Sequence, residues 1–320
     1  MCRSFFLCIV AFALAGCQQQ DRKVIGVVPK GATHVFWLTV KAGAEKAAQE
    51  SGYSIEWSAP TVEVDSSRQK GIVDAMIARR LAGIALAPVD RKALASTVEA
   101  GTGAGIPMAV FDSDVDTEKR LTYVATDNRE GGRMAARRMG EVLGGKGKVA
   151  VIGFMPGSAS TMEREEGFSE EIRTRFPGIE IVAMQFGMAD RAKAMAVTEN
   201  VLTAHADLAG IFADNESSSA GALQALKSRQ AKQVKFIAFD ANEQFVADMR
   251  EGWIDSLILQ DPYRMGYDSV KAITTKLSGG TPSAHQDLPA TLVTRTDLDS
   301  GRVPEQILPA FQKKLTGATH

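Results

Sequence analysis

The chain has 320 residues, 45% of them hydrophobic, and its 37 Lys and Arg nearly balance 38 Asp and Glu for a formal net charge of −1. That length suits two domains with substantial cores, and the interspersed, near-neutral charge excludes a basic nucleic-acid stripe and an acidic disordered tail. Cys2, Cys8 and Cys17 all lie at the amino-terminal end, so everything after them must be held by packing and not by disulfides.

The first element is an export segment. Arg3 precedes an unbroken apolar run, Phe5 to Ala15, which closes with Leu14-Ala15-Gly16-Cys17. The run is well short of the ~20 residues needed to span a bilayer as a helix. A basic start, a short apolar stretch and small residues before a cysteine resemble a secretory signal ending in the lipobox of exported lipoproteins. Residues 1–16 are therefore read as a signal peptide, Cys17 as a lipidated first residue and 17–22 as a tether. The mature protein is expected in the periplasm or at the cell surface, lipid-anchored to a membrane.

From Lys23 onward, short apolar runs alternate with stretches of helical period. Val24–Val28, Ser54–Ser58, Gly83–Ala87, Met108–Phe111 and Thr122–Ala125 predict strands; Leu38–Glu50, Ser66–Arg80 and Ala93–Ala100 predict helices with one buried face. The pattern then restarts. Val149–Ile152, Glu180–Met184, Gly210–Ala213, Lys235–Phe239 and Ser256–Leu259 predict strands, with helices over Ser160–Arg175, Arg191–His205, Glu216–Ser228 and Glu243–Arg250. Arg129–Leu143 and Tyr263–Leu277 predict helices near the chain crossings, and Ala290–Thr294 a third crossing strand. Continuous apolar strands alternating with helices make this an α/β protein of two doubly wound, Rossmann-like parallel-sheet lobes. The expected division is 23–125 plus 261–289 for one lobe and 126–260 plus 290–320 for the other, joined by a three-segment hinge.

In such sheets ligands bind beyond the carboxyl ends of the strands. Those ends carry His34, Phe36, Trp37, Asp112, Ser113 and Asp114 in the first copy, and Arg164, Asn215, Asp240 and Gln260 in the second. Plainer roles stand beside these. Asp112, Asn215 and Asp240 could each cap the following helix. Arg164, flanked by Glu163 and Glu165, could be a solvated ion-pair partner, and Gln260 before Asp261-Pro262 a turn residue. Phe36 and Trp37, about 100° apart on a helix, cannot both face one core.

Taken in order, Val24-Ile-Gly-Val-Val, Phe36-Trp37, Lys41-Ala-Gly-Ala-Glu-Lys, Phe111-Asp112, Thr126-Asp127-Asn128, Arg164-Glu-Glu-Gly-Phe168, Phe212-Ala-Asp-Asn215, Phe239-Asp240 and Gln260-Asp-Pro resemble the ribose-type periplasmic sugar-binding proteins of ABC importers. The resemblance covers nearly all of the mature chain and implies the type I periplasmic-binding-protein fold. It implies that Phe36 and Trp37 sandwich a sugar ring, that Asp112 and Asp240 take its hydroxyls, and that Arg164, Asn215 and Gln260 complete the rim, with His34 as a polar loop contact. Three departures bear on which sugar is bound. Ser113 stands where ribose binders have a second arginine, Ala189 stands where many have an aromatic, and the loop Lys30-Gly-Ala-Thr33 is about one residue longer.

A sugar's apolar faces and hydroxyl rim suit aromatic plates with Asp, Asn and Arg at the edge. Two carboxylates against one arginine disfavour an anionic ligand. The expected ligand is a neutral pentose or hexose, the expected partner a membrane permease, and the protein a monomer that neither needs a cofactor nor catalyses a reaction.

Other functions fit poorly. Gly101-Thr-Gly-Ala-Gly105 precedes a strand, whereas a dinucleotide loop must follow one. His34, His205, His285 and His320 lack metal-ligand spacing. A sugar-responsive repressor would share the two-lobed core, but an export signal occupies the place of its DNA-binding segment. A receptor serving a chemotaxis or sensor-kinase partner is the alternative that sequence leaves open.

Overall fold

The computed structural model describes residues 23–302, so the signal segment and Cys17 lie outside the described residues. Its first half runs β1 (Val24–Val28), α1 (Val35–Glu50), β2 (Ser54–Trp57), α2 (Ser66–Ala78), β3 (Gly83–Leu86), α3 (Ala95–Gly103), β4 (Met108–Phe111) and β5 (Thr122–Thr126). After α4 (Asn128–Leu143) the series repeats as β6 (Lys146–Gly153), α5 (Ala159–Arg175), β7 (Gly178–Phe186), α6 (Arg191–Ala204), β8 (Leu208–Ala213), α7 (Glu216–Ser228), β9 (Lys235–Phe239), α8 (Glu243–Arg250) and β10 (Ser256–Leu259). The chain closes with α9 (Pro262–Leu277), β11 (His285–Leu288), β12 (Thr291–Thr294) and α10 (Arg295–Asp299).

Two six-stranded sheets result, ordered β11-β5-β4-β3-β1-β2 and β12-β10-β9-β8-β6-β7. Every pairing is parallel except β10 with β12, which is antiparallel because the chain runs straight on from β11 across the crossing and so enters the second sheet against the direction of β10. The central strands are buried on both faces, as their uninterrupted apolar sequences require. Strand order reverses between β1 and β3, and again between β6 and β8, which opens a crevice at the carboxyl edge of each sheet.

The two halves are related by more than order. On α1 and α9, Gly43 and Gly266 lie so close to the facing backbone that an added Cβ would sit 3.0 Å from the carbonyl carbon of Tyr263 and 2.8 Å from that of Val40. On α5 and α4, Gly167 and Gly132 repeat the arrangement against Arg129 and Arg164. Each helix pair is thus interlocked at the same spacing, and the second interlock fixes the backbone of Arg164.

The chain passes between sheets three times: after Thr126, around Gln260 and Asp261, and through Pro289-Ala290. β11 was not foreseen, because His285-Gln-Asp-Leu is an edge strand with only Leu288 buried and so carries no apolar run. The short α10, closed by a capping box of Thr294 and Asp297, was likewise unforeseen.

Candidate functional site

The carboxyl edges of the two sheets face each other across one cavity. His34, Phe36, Trp37, Asp112, Arg164, Asn215, Asp240 and Gln260 all line it. Ser113 and Ala189 do not. Ser113 is fully buried and its hydroxyl accepts the backbone N–H of Ser160 at 3.0 Å, a bond from one lobe to the other. Ala189 sits beside the cap of α6 with a left-handed φ of 57°, away from the cavity walls.

α1 begins immediately after His34, which places both aromatics in its first turn. Trp37 is 5% exposed, and its Nε1 donates to Glu63 Oε1 at 2.9 Å. Phe36 meets it edge to face, with centroids 4.8 Å apart. Both rings therefore reach the cleft, although Trp37 also packs into the first lobe's core. Phe154, directly after β6, supplies a ring from the opposite lobe.

Asp112 and Asp240 are structural twins. Each follows the fourth strand of its copy with φ near +60°, at 62° and 66°, and each donates its N–H to the adjoining strand, at Val124 O and Ile258 O. Neither caps the helix that follows it. Asn242 caps α8, while Asp240 Oδ2 accepts the N–H of Glu216 at the start of α7, and its Oδ1 accepts from Gln260 Nε2 at 2.7 Å. Burial pushes Asp240 up to about 6, against the pull of Arg164 and the Gln260 bond. Asn215 holds both roles: it caps α7 through Ser218 N and lines the cavity.

Arg164 is 2% exposed and is not a surface ion-pair residue. Its Nε donates to Asn128 Oδ1, Nη1 to the Asp214 carbonyl and Nη2 to Gln260 Oε1, all within 2.8–2.9 Å. Its guanidinium carbon lies 3.8 Å from the centroid of the Phe239 ring. Gln260 also accepts from Thr126 Oγ1 at 2.7 Å, so it ties two chain crossings to the site and is more than a turn residue.

Beneath Arg164, burial and the neighbouring Asp214 carboxylate push Glu165 well above the usual carboxylate range. Asp214 Oδ2 in turn accepts the N–H of Phe154 at 3.2 Å.

The cavity is more highly charged than the sequence suggested. Lys30, Glu63 and Glu216 join the expected groups, so four carboxylates face Lys30, Arg164 and His34. His34 Nδ1 lies 3.0 Å from Glu216 Oε2 across the cleft and its Nε2 lies 3.6 Å from Glu63. The Glu216 bond raises His34 above 6.5 against desolvation. Burial would raise Glu216, but the His34 bond and the charges of His34 and Arg191 outweigh it and hold it low.

Lys30 and Glu63 follow β1 and β2 in loops where charged residues look solvated. Inspecting the residue after every strand would have found Phe154, and the loop after β2 would have offered Glu63.

The periplasmic binding protein domain family matches residues 25–281. The ribose import binding protein of Bacillus subtilis is 30% identical over 255 residues, 80% of this chain and 82% of its own. Among solved structures, a carbohydrate transporter solute binding protein from Agrobacterium radiobacter in complex with D-arabinose superposes with a TM-score of 0.86 at 29% identity, covering 89% of this chain and 98% of that one. An ABC transporter solute binding protein from Agrobacterium vitis, bound with alpha-D-tagatopyranose, gives 0.84 at 30% identity over the same shares.

Proposed function

Because the chain belongs to the periplasmic binding protein domain family, we propose that it is the extracytoplasmic solute-binding component of an ABC-type sugar importer. It closes its two lobes on a neutral monosaccharide and delivers it to a membrane permease. The observation that carries this reading is the convergence of Phe36, Trp37 and Asp112 from one sheet with Phe154, Arg164, Asn215 and Asp240 from the other on one cavity. Rings cover the apolar faces of a sugar, and carboxylate, amide and guanidinium groups meet its hydroxyls. The likeness to proteins whose complexes hold D-arabinose and tagatopyranose supports a pentose or hexose.

Closure is a population shift driven by contacts that only the closed form makes. The lobes of this reading are 23–125 with 261–289, and 126–260 with 290–320, of which 303–320 lie outside the described residues, turning about the three crossings. Cys17 carries the lipid that keeps the receptor beside its permease. Replacing it by alanine should release the protein from the membrane fraction without changing its affinity.

A thermal-shift panel of pentoses, hexoses, inositols and nucleosides tests the ligand class. A ligand at ~100 times its dissociation constant stabilises by about 2.7 kcal/mol. No shift with any neutral sugar, alongside a shift with a nucleoside or an anion, would overturn the reading.

A further inference from the structure

Lys30 lies in the loop after β1 and is 4% exposed. An ammonium has three N–H donors, and here each has an oxygen partner. Nζ is 2.8 Å from Asp112 Oδ2 in its own lobe and 3.2 Å from each of Ser158 Oγ and Ser160 Oγ in the other. It also stands 5.7 Å from the centroid of the Phe154 ring. The same place holds the bond from Ser160 N to Ser113 Oγ. Lys30 therefore reaches over the gap to the start of α5, and these serine contacts exist only while the lobes are together.

We propose that Lys30 is a specificity-determining bolt. It fastens the closed form at the Asp112 end of the cleft and keeps one of the two Asp112 oxygens away from the ligand. The proposal rests on the sugar-binding reading for its ligand and on the geometry alone for the bolt. With Oδ2 committed, a sugar meets Asp112 through Oδ1 only, so a pair of adjacent hydroxyls cannot be held in bidentate fashion there. The four-carbon stem of Lys30 also ends the cavity on that side, which favours a five-carbon sugar over one carrying an additional hydroxymethyl arm.

The bolt has a ligand-independent reporter. Ser160 is in the first turn of α5, where backbone N–H groups have no partner within the helix. Its protection from hydrogen exchange depends on Ser113 across the cleft. In the full chain, Lys30→Met keeps the side-chain length but removes the donors, and should speed exchange of the Ser160 amide about tenfold or more. The double substitution Ser158→Ala with Ser160→Ala removes the acceptors from the other side and should do the same, so a folding failure of one variant leaves the other to decide.

Calorimetry with D-ribose, D-arabinose, D-galactose and D-allose provides the second arm. Lys30→Ala opens the space beside Asp112 and should raise hexose affinity relative to pentose affinity about tenfold, while Lys30→Met should weaken all four roughly tenfold by leaving a buried carboxylate unpaired. Unchanged Ser160 exchange in both the lysine and serine variants overturns the bolt whether or not a sugar binds. Faster exchange with an unchanged hexose-to-pentose ratio overturns its role in specificity. Failure of all four sugars to bind the unsubstituted protein counts against the sugar reading instead, and the exchange measurement still decides the bolt.

Discussion

Gly132→Ala should be costly out of proportion to its size, because α4 meets α5 there through backbone. The added Cβ would overlap the carbonyl oxygen of Arg164 outright and lie 2.8 Å from its carbonyl carbon and 2.9 Å from Phe168 N, closer than the 3.0 Å that real Cβ contacts observe. Comfortable carbon contacts fall at about 3.5–4.0 Å, so the helices must part by roughly 1 Å. Overpacking of this kind costs about 1–3 kcal/mol, partly masked by the ~1 kcal/mol that alanine gains over glycine inside a helix. Gly71 on α2 removes the mask: it is exposed, nothing lies within 4 Å of its would-be Cβ, and Gly71→Ala collects the same helix gain without the clash. The difference between the two variants in urea denaturation should therefore equal the packing cost, about 1–3 kcal/mol. The displacement also moves Arg164, so Gly132→Ala alone should weaken sugar binding. Equal stability for the two variants would refute the interlock.

Arg164→Ala and Asp240→Ala should each weaken ligand binding by about tenfold or more, since each leaves buried partners unpaired; unchanged affinities by calorimetry would remove both from the site. Affinity should fall on both sides of a pH optimum. Asp240, raised to about 6, loses its carboxylate below that value. His34, raised above its ordinary 6.5 by Glu216 and faced also by Glu63 and Arg191, contributes its cross-cleft bond fully below about 6.5 and loses it as pH rises through its higher folded value. His34→Gln should flatten the alkaline limb, and an undiminished slope in that variant would dismiss the link. Glu165→Gln should resemble the unsubstituted protein at low pH and become relatively more stable toward pH 8. A buried carboxyl with a raised value holds a proton that the unfolded chain has released, so native stability declines with pH by up to about 1.4 kcal/mol per unit while that difference lasts. Parallel stability curves would contradict this.

Strands and helices were legible wherever burial is two-sided or periodic, and the repeat of Phe111-Asp112 as Phe239-Asp240 located two carboxylates that share a backbone conformation. Its place after a strand end and the resemblance together pointed to Arg164, but its setting was not readable: neighbouring glutamates suggested a solvated pair, whereas Asn128, Asp214 and Gln260 hold it from three distant segments. Lys30 and Glu63, in loops, and Glu216, at the start of α7, were overlooked because a lone charge at such a position looks the same in sequence whether it meets water or a buried opposite charge. β11 escaped for a related reason, since an edge strand needs little apolar surface.

The seating of α9 against α1 has a consequence for biogenesis. The first sheet lacks β11, and its α1 face lacks a partner, until residues beyond Leu277 have been synthesised. Through most of translation the leading third of the polypeptide thus stays incomplete, and the first lobe closes only after every strand of the second sheet but β12 has been made.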